Sequence, residues 1–405
     1  MLFYFVSITV FTSVVLGLVF VLLFVEANVM QKGDRSVSIN KDEKTVPIPS
    51  GSTLLAGLSA NKIYLPSACG GSGSCAQCKS KVTEGGGDTL PTELPHLTRV
   101  EKKQHIRLAC QLKVRNNMSI EIPAEIFSIK KYNATVISNQ NIATFIKELV
   151  LKLDEGETLD FTAGAYIQID IPEYDVSFTK FDIAERFLAA WDRFNLRKLR
   201  ATSEEPIFRA YSLANPPSEK NLLRFTIRIA TPPPQSSDIP PGIGSSYVFS
   251  LKPNDRVTLS GPYGDFFVKD TGNEMCFIGG GAGMAPMRSH IFHQLNTLKT
   301  KRKITFWYGA RSKQEMLYDD EFKALDKKHK NFSYYVALSD PQPEDKWKGL
   351  TGFIHQRLYD NYLSKHKNPD EIEYYLCGPP MMLDAILEML DSLGVESDMI
   401  LFDKF

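Results

Sequence analysis

The chain has no net charge: 47 Lys and Arg balance 47 Asp and Glu across 405 residues, and the isoelectric point is near 7. Without a strong positive field, nucleic acid is excluded as an expected partner. A disulfide framework is absent too. Of six cysteines, Cys69, Cys75, Cys78 and Cys110 crowd one stretch, while Cys276 and Cys377 stand far apart. That asymmetry fits a local metal or cluster site in a reducing compartment better than paired bridges. There is also no internal repeat and no long low-complexity tract. Hydrophobic content of 43% and charged content of 23% are ordinary for folded protein. The length allows two to four domains.

Charge is missing from one place in particular. Leu2–Val25 holds 24 residues without a single Asp, Glu, Lys or Arg. As a helix it would span roughly 36 Å against about 30 Å of hydrocarbon. A cleaved signal peptide is the alternative, since Val25-Glu26-Ala27 has a cleavage-like pattern. No basic residue precedes the run, however, and it exceeds the usual signal core. We therefore expect a retained anchor over residues 1–30. Lys32, Arg35 and Lys41 follow it, which places the bulk of the chain in the cytoplasm of a single-pass protein of the bacterial inner membrane.

Three further domains are expected. Residues 31–127 open with alternating strands at Val37, Ile39, Val46 and Ile48, continue with a helix over Ser52–Ala60, and return to strands at Lys79–Val82 and Met118–Ile122. Residues 128–270, entered through a linker at Pro123–Lys131, carry many short β-rich runs that read as a barrel or a sandwich, of which we expect the antiparallel barrel. Phe178–Leu199 interrupts them as an aromatic helical insertion whose default role is packing, with partner docking as the alternative. In residues 271–405, strands at Met275–Ile278, Ile304–Tyr308, Tyr334–Leu338 and Tyr374–Cys377 alternate with helices at Met287–Leu298, Asp319–His329, Phe353–Leu363 and Met381–Leu393. That rhythm predicts a Rossmann-like parallel sheet. The fold class is thus multidomain α+β and α/β behind a single transmembrane helix.

The cysteine run Cys69-Gly-Gly-Ser-Gly-Ser-Cys75-Ala-Gln-Cys78, completed by Leu108-Ala-Cys110-Gln, is one residue longer in its first gap than the plant-type spacing for two irons. Iron prefers thiolates, and four of them complete two sulfide-bridged tetrahedra. Gly70, Gly71 and Gly73 let backbone N–H groups point at sulfur. Zinc held by four cysteines is the alternative. The run resembles the [2Fe-2S] ferredoxin family with its β-grasp fold, over residues 35–125. That resemblance makes Cys69, Cys75, Cys78 and Cys110 the expected ligands of a [2Fe-2S] cluster.

Arg209-Ala-Tyr211-Ser212 closes a β-rich region. An Arg can pair with a diphosphate, a Tyr can lie on an isoalloxazine, and a Ser hydroxyl can reach its N5. Tyr211 alone would more often be core packing. Pro241-Gly-Ile-Gly-Ser245-Ser then opens a helix whose N-terminus suits phosphate, and Gly261-Pro-Tyr-Gly264 makes a turn. Together these resemble the ferredoxin–NADP reductase superfamily. The resemblance implies that Arg209, Tyr211, Ser212, Gly242 and Ser245 bind FAD, with the Thr226–Ala230 strand beside the diphosphate. Phe277-Ile-Gly-Gly-Gly-Ala-Gly-Met-Ala-Pro286 departs from the standard dinucleotide fingerprint but matches the superfamily's pyridine-nucleotide loop, implying Gly279, Gly281, Gly283 and Pro286 as ligands. In the superfamily the Cys377-Gly378-Pro379 segment lies at the hydride-transfer site. Cys377 would shape that site rather than attack, or is simply a buried thiol. Asp340, in Leu338-Ser-Asp340, would repel a 2′-phosphate and so favours NADH. The terminal Phe405 corresponds to the aromatic ring that many members stack on the flavin.

Taken in order, these modules resemble the electron-input components of the sodium-translocating NADH:quinone reductase family. The resemblance implies hydride transfer from NADH to FAD and single electrons through the cluster. These would pass to integral membrane subunits that reduce quinone and pump sodium. Tyr211, Ser212, Cys377 and Phe405 would frame the catalytic step. The alternatives are the reductase component of an oxygenase, or a tethered electron carrier without turnover.

Overall fold

The computed structural model describes residues 2–28, 33–233 and 239–403. The chain divides into two compact units, residues 1–128 and 129–405.

In the first unit, helix α1 covers Leu2–Asn28. The side chains described between Val6 and Val21 are all exposed, Phe11 and Phe20 among them. Among the described residues no helix is long and apolar enough to cross a membrane. The run expected to be the anchor, Leu2–Val25, extends at both ends into side chains outside the described set.

The rest of this unit is a mixed five-stranded sheet built from β1 (Asp34–Ile39), β2 (Lys44–Pro49), β3 (Lys79–Glu84), β4 (Ile106–Leu108) and β5 (Met118–Glu121). Their order is β2-β1-β5-β3-β4, with β1 and β5 parallel. Period-two alternation buries Val37, Ile39, Val46 and Ile48 on one face. Helix α2 (Leu54–Ala60) covers that face, capped by the Thr53 hydroxyl, which accepts from Ala56 N at 3.2 Å. Gly57 is required there, because a Cβ would lie 2.2 Å from Ile48. A second short helix, α3 (Arg99–Lys103), begins with a capping box between Thr98 and Glu101.

A buried ion pair ties the long loop before α3 to β4. Arg107 meets Glu93 at 2.7 Å with 4% and 0% of the two side chains exposed. Arg107 also donates to the carbonyls of Gly86 and Gly87, and Glu93 accepts from the backbone of Leu90 and Leu108. Both charged groups thus find their partners inside the protein, the condition under which a buried pair is tolerated.

The second unit holds two large sheets. The first contains β6 (Lys130–Ala143), β7 (Ile146–Leu153) and β8 (Tyr166–Ile171). After the two-stranded ribbon β9 (Tyr174–Ser177) and β10 (Arg200–Ser203) it adds β11 (Ile207–Ser212), β12 (Leu222–Arg228) and β13 (Arg256–Tyr263). Its order is β11-β8-β13-β6-β7-β12 and every pairing is antiparallel. The expected barrel is not closed. Among the described residues the edge strands β11 and β12 meet only at the isolated bridge Leu213–Phe225. On the connection side of that bridge the Asn215 side chain takes the Leu222 carbonyl at 2.8 Å and the Arg224 N–H at 2.9 Å, while on the other side Ala210–Ser212 and Thr226–Arg228 separate to line a cleft. Pro216 and Pro217 in the same connection have no N–H to offer. Residues 178–199 are helical only at α4 (Glu185–Arg193), with short 3-10 turns on either side. Helix α5 (Ile243–Ser250) packs beneath them.

The second sheet is all parallel: β14 (Met275–Gly280), β15 (Ile304–Ala310), β16 (Phe332–Leu338), β17 (Leu350–Thr351), β18 (Glu373–Cys377) and β19 (Ile400–Asp403), ordered β17-β16-β15-β14-β18-β19. Helices α6 (Met284–Phe292), α7 (Asp319–Lys328), α8 (Ile354–Asn361) and α9 (Pro380–Ser392) connect the strands. Two apolar clusters, one on each face, bury the sheet, as such sheets require. The helix expected over Met287–Leu298 starts three residues earlier and ends in a π-turn at His293–Thr297.

Replacing Arg107 by Met strands the Glu93 carboxylate in the core. We expect a loss of about 3–5 kcal/mol in the first unit's unfolding free energy, read by chemical denaturation. An unchanged midpoint would show the pair to be dispensable.

Candidate functional site

The four clustered cysteines come together as two pairs. Cys75 Sγ lies 3.3 Å from Cys69 Sγ, and the Cys78 thiol is hydrogen-bonded to Cys110. Each pair also feels the other: Cys75 acts on Cys78, and Cys69 on Cys110. Hydrogen bonding to Cys75 lowers Cys69 to about 2, and hydrogen bonding to Cys69 pushes Cys75 up. Two thiols at each of two adjacent points is the donor set that a two-iron cluster needs, two thiolates per iron. Among the described residues no three His, Cys, Asp or Glu side chains gather around one point as a single metal ion would require.

Local backbone explains the pairing. Gly70, Gly71 and Gly73 have φ of 66°, 92° and 87°, so the loop curls back on itself. The backbone N–H groups of Ser74 and Cys75 then donate to Cys69 sulfur. Ser67 Oγ accepts from Gly71 N at 3.1 Å, and Gln77 Oε1 from Ala68 N at 3.0 Å. Cys110 is positioned by its neighbours. Ala109 N donates to Cys78 O, and the first turn of α2 donates to Ala109 O and Leu112 O.

In the second unit a cleft of 260 Å³ is lined on one side by Ala210, Tyr211, Ser212 and Thr226–Arg228, and on the other by Gly280–Gly283, Gly378, Pro379 and Pro380. Its floor depends on missing side chains. A Cβ on Gly283 would lie 2.2 Å from the Cys377 carbonyl, and one on Gly280 would lie 2.8 Å from Met382 sulfur. Thr226 Oγ1 donates to Ala282 O at 3.1 Å, fastening the two walls together.

Beside the cleft, α5 presents its N-terminus. Ser245 Oγ accepts from Ala230 N and donates to Gly242 O, at 3.0 and 3.1 Å. A Cβ on Gly244 would meet Tyr211 Oη at 2.6 Å and Arg209 Cγ at 2.7 Å. The glycine therefore leaves a cradle where Arg209, Tyr211 and the N–H groups of the first helical turn converge. That combination of a cation, an aromatic face and backbone donors fits a flavin dinucleotide. Burial pushes the Tyr211 phenol well above its usual range, so it stays neutral.

Other expected residues stand elsewhere. Gly279 is buried inside β14 against Met287 and Phe306, and Pro286 is buried in the first turn of α6; neither lines the cleft. Cys377 is buried at the end of β18, its thiol pushed up by burial and by the Asp403 carboxylate. Asp340 follows the end of β16, paired with Arg311 at 3.1 Å. Phe405 lies outside the described residues. Asp403 is a site neighbour that the motifs do not mark. Register pairs it with Cys377, and its carboxylate accepts from Ser212 Oγ at 3.3 Å. Its one sequence signal is proximity to the terminal aromatic.

Comparison with known proteins agrees with this geometry. Residues 37–115 match the 2Fe-2S iron-sulfur cluster binding domain. Residues 194–268 match the oxidoreductase FAD-binding domain, and residues 277–388 the oxidoreductase NAD-binding domain. Among solved structures, the Amycolatopsis cytochrome P450 reductase GcoB covers 92% of this chain and 98% of its own, with a TM-score of 0.64 at 24% identity, and shares the fold. The ferredoxin reductase in carbazole 1,9a-dioxygenase covers 93% and 99% with a TM-score of 0.60 at 25% identity. Among sequences, the F subunit of the Na(+)-translocating NADH-quinone reductase of Serratia proteamaculans is 54% identical over 400 residues, 98% of both chains. That of Mannheimia succiniciproducens is 54% identical over 396 residues, 98% of this chain and 97% of its own. With such identity over nearly its whole length, the chain belongs to the family of F subunits of the Na(+)-translocating NADH-quinone reductases.

Proposed function

We propose that this chain oxidises NADH at the cleft between Tyr211–Ser212 and Gly280–Gly283, with FAD and a [2Fe-2S] cluster as resident cofactors. Single electrons pass on to integral membrane subunits of the same complex, which reduce quinone and translocate sodium. The observation that carries the reading is the cleft itself. One wall is the flavin-type motif, and the other joins the glycine loop to the Gly378–Pro380 turn. When bound, FAD supplies the exchange between two-electron and one-electron transfer, and the cluster carries electrons singly.

The chain's own residues bind and orient. Arg209 and the N-terminus of α5 would hold the diphosphate, with Gly242 and Ser245 shaping the turn. Tyr211 would lie along the isoalloxazine, and Ser212 would reach its N5 edge. Gly281 and Gly283 would admit the nicotinamide dinucleotide close to backbone. The Cys377 thiol, buried and held neutral, does not attack, since only a thiolate is a strong nucleophile, while its carbonyl backs Gly283 of the glycine loop. Cys69, Cys75, Cys78 and Cys110 would ligate the cluster.

Residues 1–30 would anchor the chain in the bacterial inner membrane with its domains on the cytoplasmic side. The uncovered apolar side chains of α1 support this. Residues 31–127, 128–270 and 271–405 would form the ferredoxin, FAD and NADH domains. Identity to the F-subunit relatives across α1 and all three modules favours this reading over an oxygenase reductase.

Full-length protein extracted from the membrane fraction should be yellow-brown, with a flavin band and, after NADH, an EPR signal of a reduced two-iron cluster. Colourless protein containing zinc, or protein found only in the soluble fraction, would contradict it. Asp340→Ser frees Arg311 and removes a like charge near the ribose. The ratio of kcat/KM for NADH over NADPH should fall about tenfold, the scale of one unit charge at close range. An unchanged ratio removes Asp340 from specificity. Phe405 is proposed to cover the flavin and yield to nicotinamide. Its deletion should raise the rate with NADPH relative to NADH, and wild-type kinetics after deletion would dismiss that role.

A further inference from the structure

Lys147, on β7, is fully buried. Its Nζ donates to the Phe249 carbonyl at 3.3 Å and sits 5.3 Å above the Phe249 ring. Among the described residues no carboxylate lies within ion-pair distance of it. A buried cation without a paired anion is costly, and an apolar residue of the same shape would usually serve the fold as well or better. Burial lowers its amine to about 8, offset by Asp182 nearby, so at neutral pH it still carries its charge.

Its position accounts for the charge. Phe249 is in the last turn of α5, the helix whose N-terminus meets Arg209 and Tyr211. The last carbonyls of a helix lack partners of their own. Here Lys147 takes Phe249 O, while Asn139 Nδ2, from β6, takes Val248 O at 2.7 Å and Leu251 O at 2.9 Å. Both side chains come from the β6–β7 hairpin, so this end of α5 is pinned to the sheet by buried polar groups.

The insertion at residues 178–199 seals the arrangement. Phe178, Phe181, Phe187 and Trp191 are each at most 7% exposed and share one cluster with Phe249. Trp191 stacks on Phe249 with centroids 6.0 Å apart, and its Nε1 donates to Thr144 O. Ala184 N donates to Asn141 Oδ1, docking the insertion on the same hairpin. Water is thereby kept from the Lys147 side chain, and the local dielectric stays low.

We propose that Lys147 is a positioning residue for the flavin diphosphate, acting through α5, and that the insertion exists to keep its charge dry. This rests on the reading of α5 as the diphosphate helix. A cation at the C-terminus opposes the helix dipole's negative end and fixes the helix whose N-terminus faces the phosphates. An eight-residue helix is about 12 Å long. At that distance and an effective dielectric of about 20, one unit charge changes affinity for a unit anion roughly tenfold.

The test is FAD binding by the full-length chain, stripped of flavin and titrated with FAD by fluorescence, with melting temperature measured on the stripped protein. Lys147→Met should weaken FAD about tenfold while the stripped protein melts no lower than wild type. Lys147→Arg should restore most of the affinity. Lys147→Gln, neutral but able to keep the Phe249 bond, should resemble the Met variant and serves if that one is insoluble. Equal FAD affinity in the Met or Gln variant would overturn the inference alone. So would weakened binding that tracks a lowered melting temperature and is not rescued by Arg. Failure of the wild-type chain to bind FAD would instead bring down the functional reading on which the inference stands.

Discussion

The cleft exists because two backbone segments approach more closely than any side chain would allow. The loop after β14 and the turn after β18 meet where Gly283 faces the Cys377 carbonyl, with 2.2 Å available to a Cβ that is not there. Parallel pairing of β14 with β18 brings these two strand ends side by side, and the strand order makes them neighbours. Ligands of open α/β sheets bind outside the carboxyl ends of the strands, and here the opening is shaped by glycine rather than by a groove between helices. The flavin-type wall uses the same device once more, at Gly244 beneath Tyr211 and Arg209.

Charge is handled by enclosure at each functional point. In the first unit Arg107 and Glu93 neutralise one another in the core and hold β4, which leads directly to Cys110. In the second, Lys147 has no such partner and is instead given a helix carbonyl and a roof of aromatic rings. Thiols near the cluster loop are paired two and two by hydrogen bonds between sulfurs, contacts that two irons would replace by coordination. The first unit's sulfur ligands and the second unit's helix terminus are ordered by the same principle: a buried polar group persists where it finds a partner or a helix end.

Legibility in the sequence follows burial. Strands buried on both faces read as continuous apolar runs, so β14, β15, β16 and β18 lie where Met275–Ile278, Ile304–Tyr308, Tyr334–Leu338 and Tyr374–Cys377 indicate. The edge strands β17 and β19 leave no such mark, because a two- or four-residue edge has too little pattern to separate it from loop. The aromatics of residues 178–199 suggest a longer helix than forms. Phe178 and Leu196 reach the core from 3-10 turns, which carry no 3.6-residue period.

By itself the sequence determined the chemistry on offer: four thiols in and beyond a glycine loop, an Arg-x-Tyr-Ser strand end, a glycine-rich loop opening a helix and a Cys-Gly-Pro turn. Those are properties of residue type and short spacing, which the local backbone reads directly. Only the tertiary structure decided that the thiols pair two and two and that β11 and β12 part on one side of a single bridge to line the cleft. The same holds for Asp403, which reaches Ser212 across 191 residues, and for Lys147, which faces a helix end instead of water. These depend on strand order and on which side chain arrives first at a buried donor or acceptor, and such long-range competition leaves no periodic trace in a single chain.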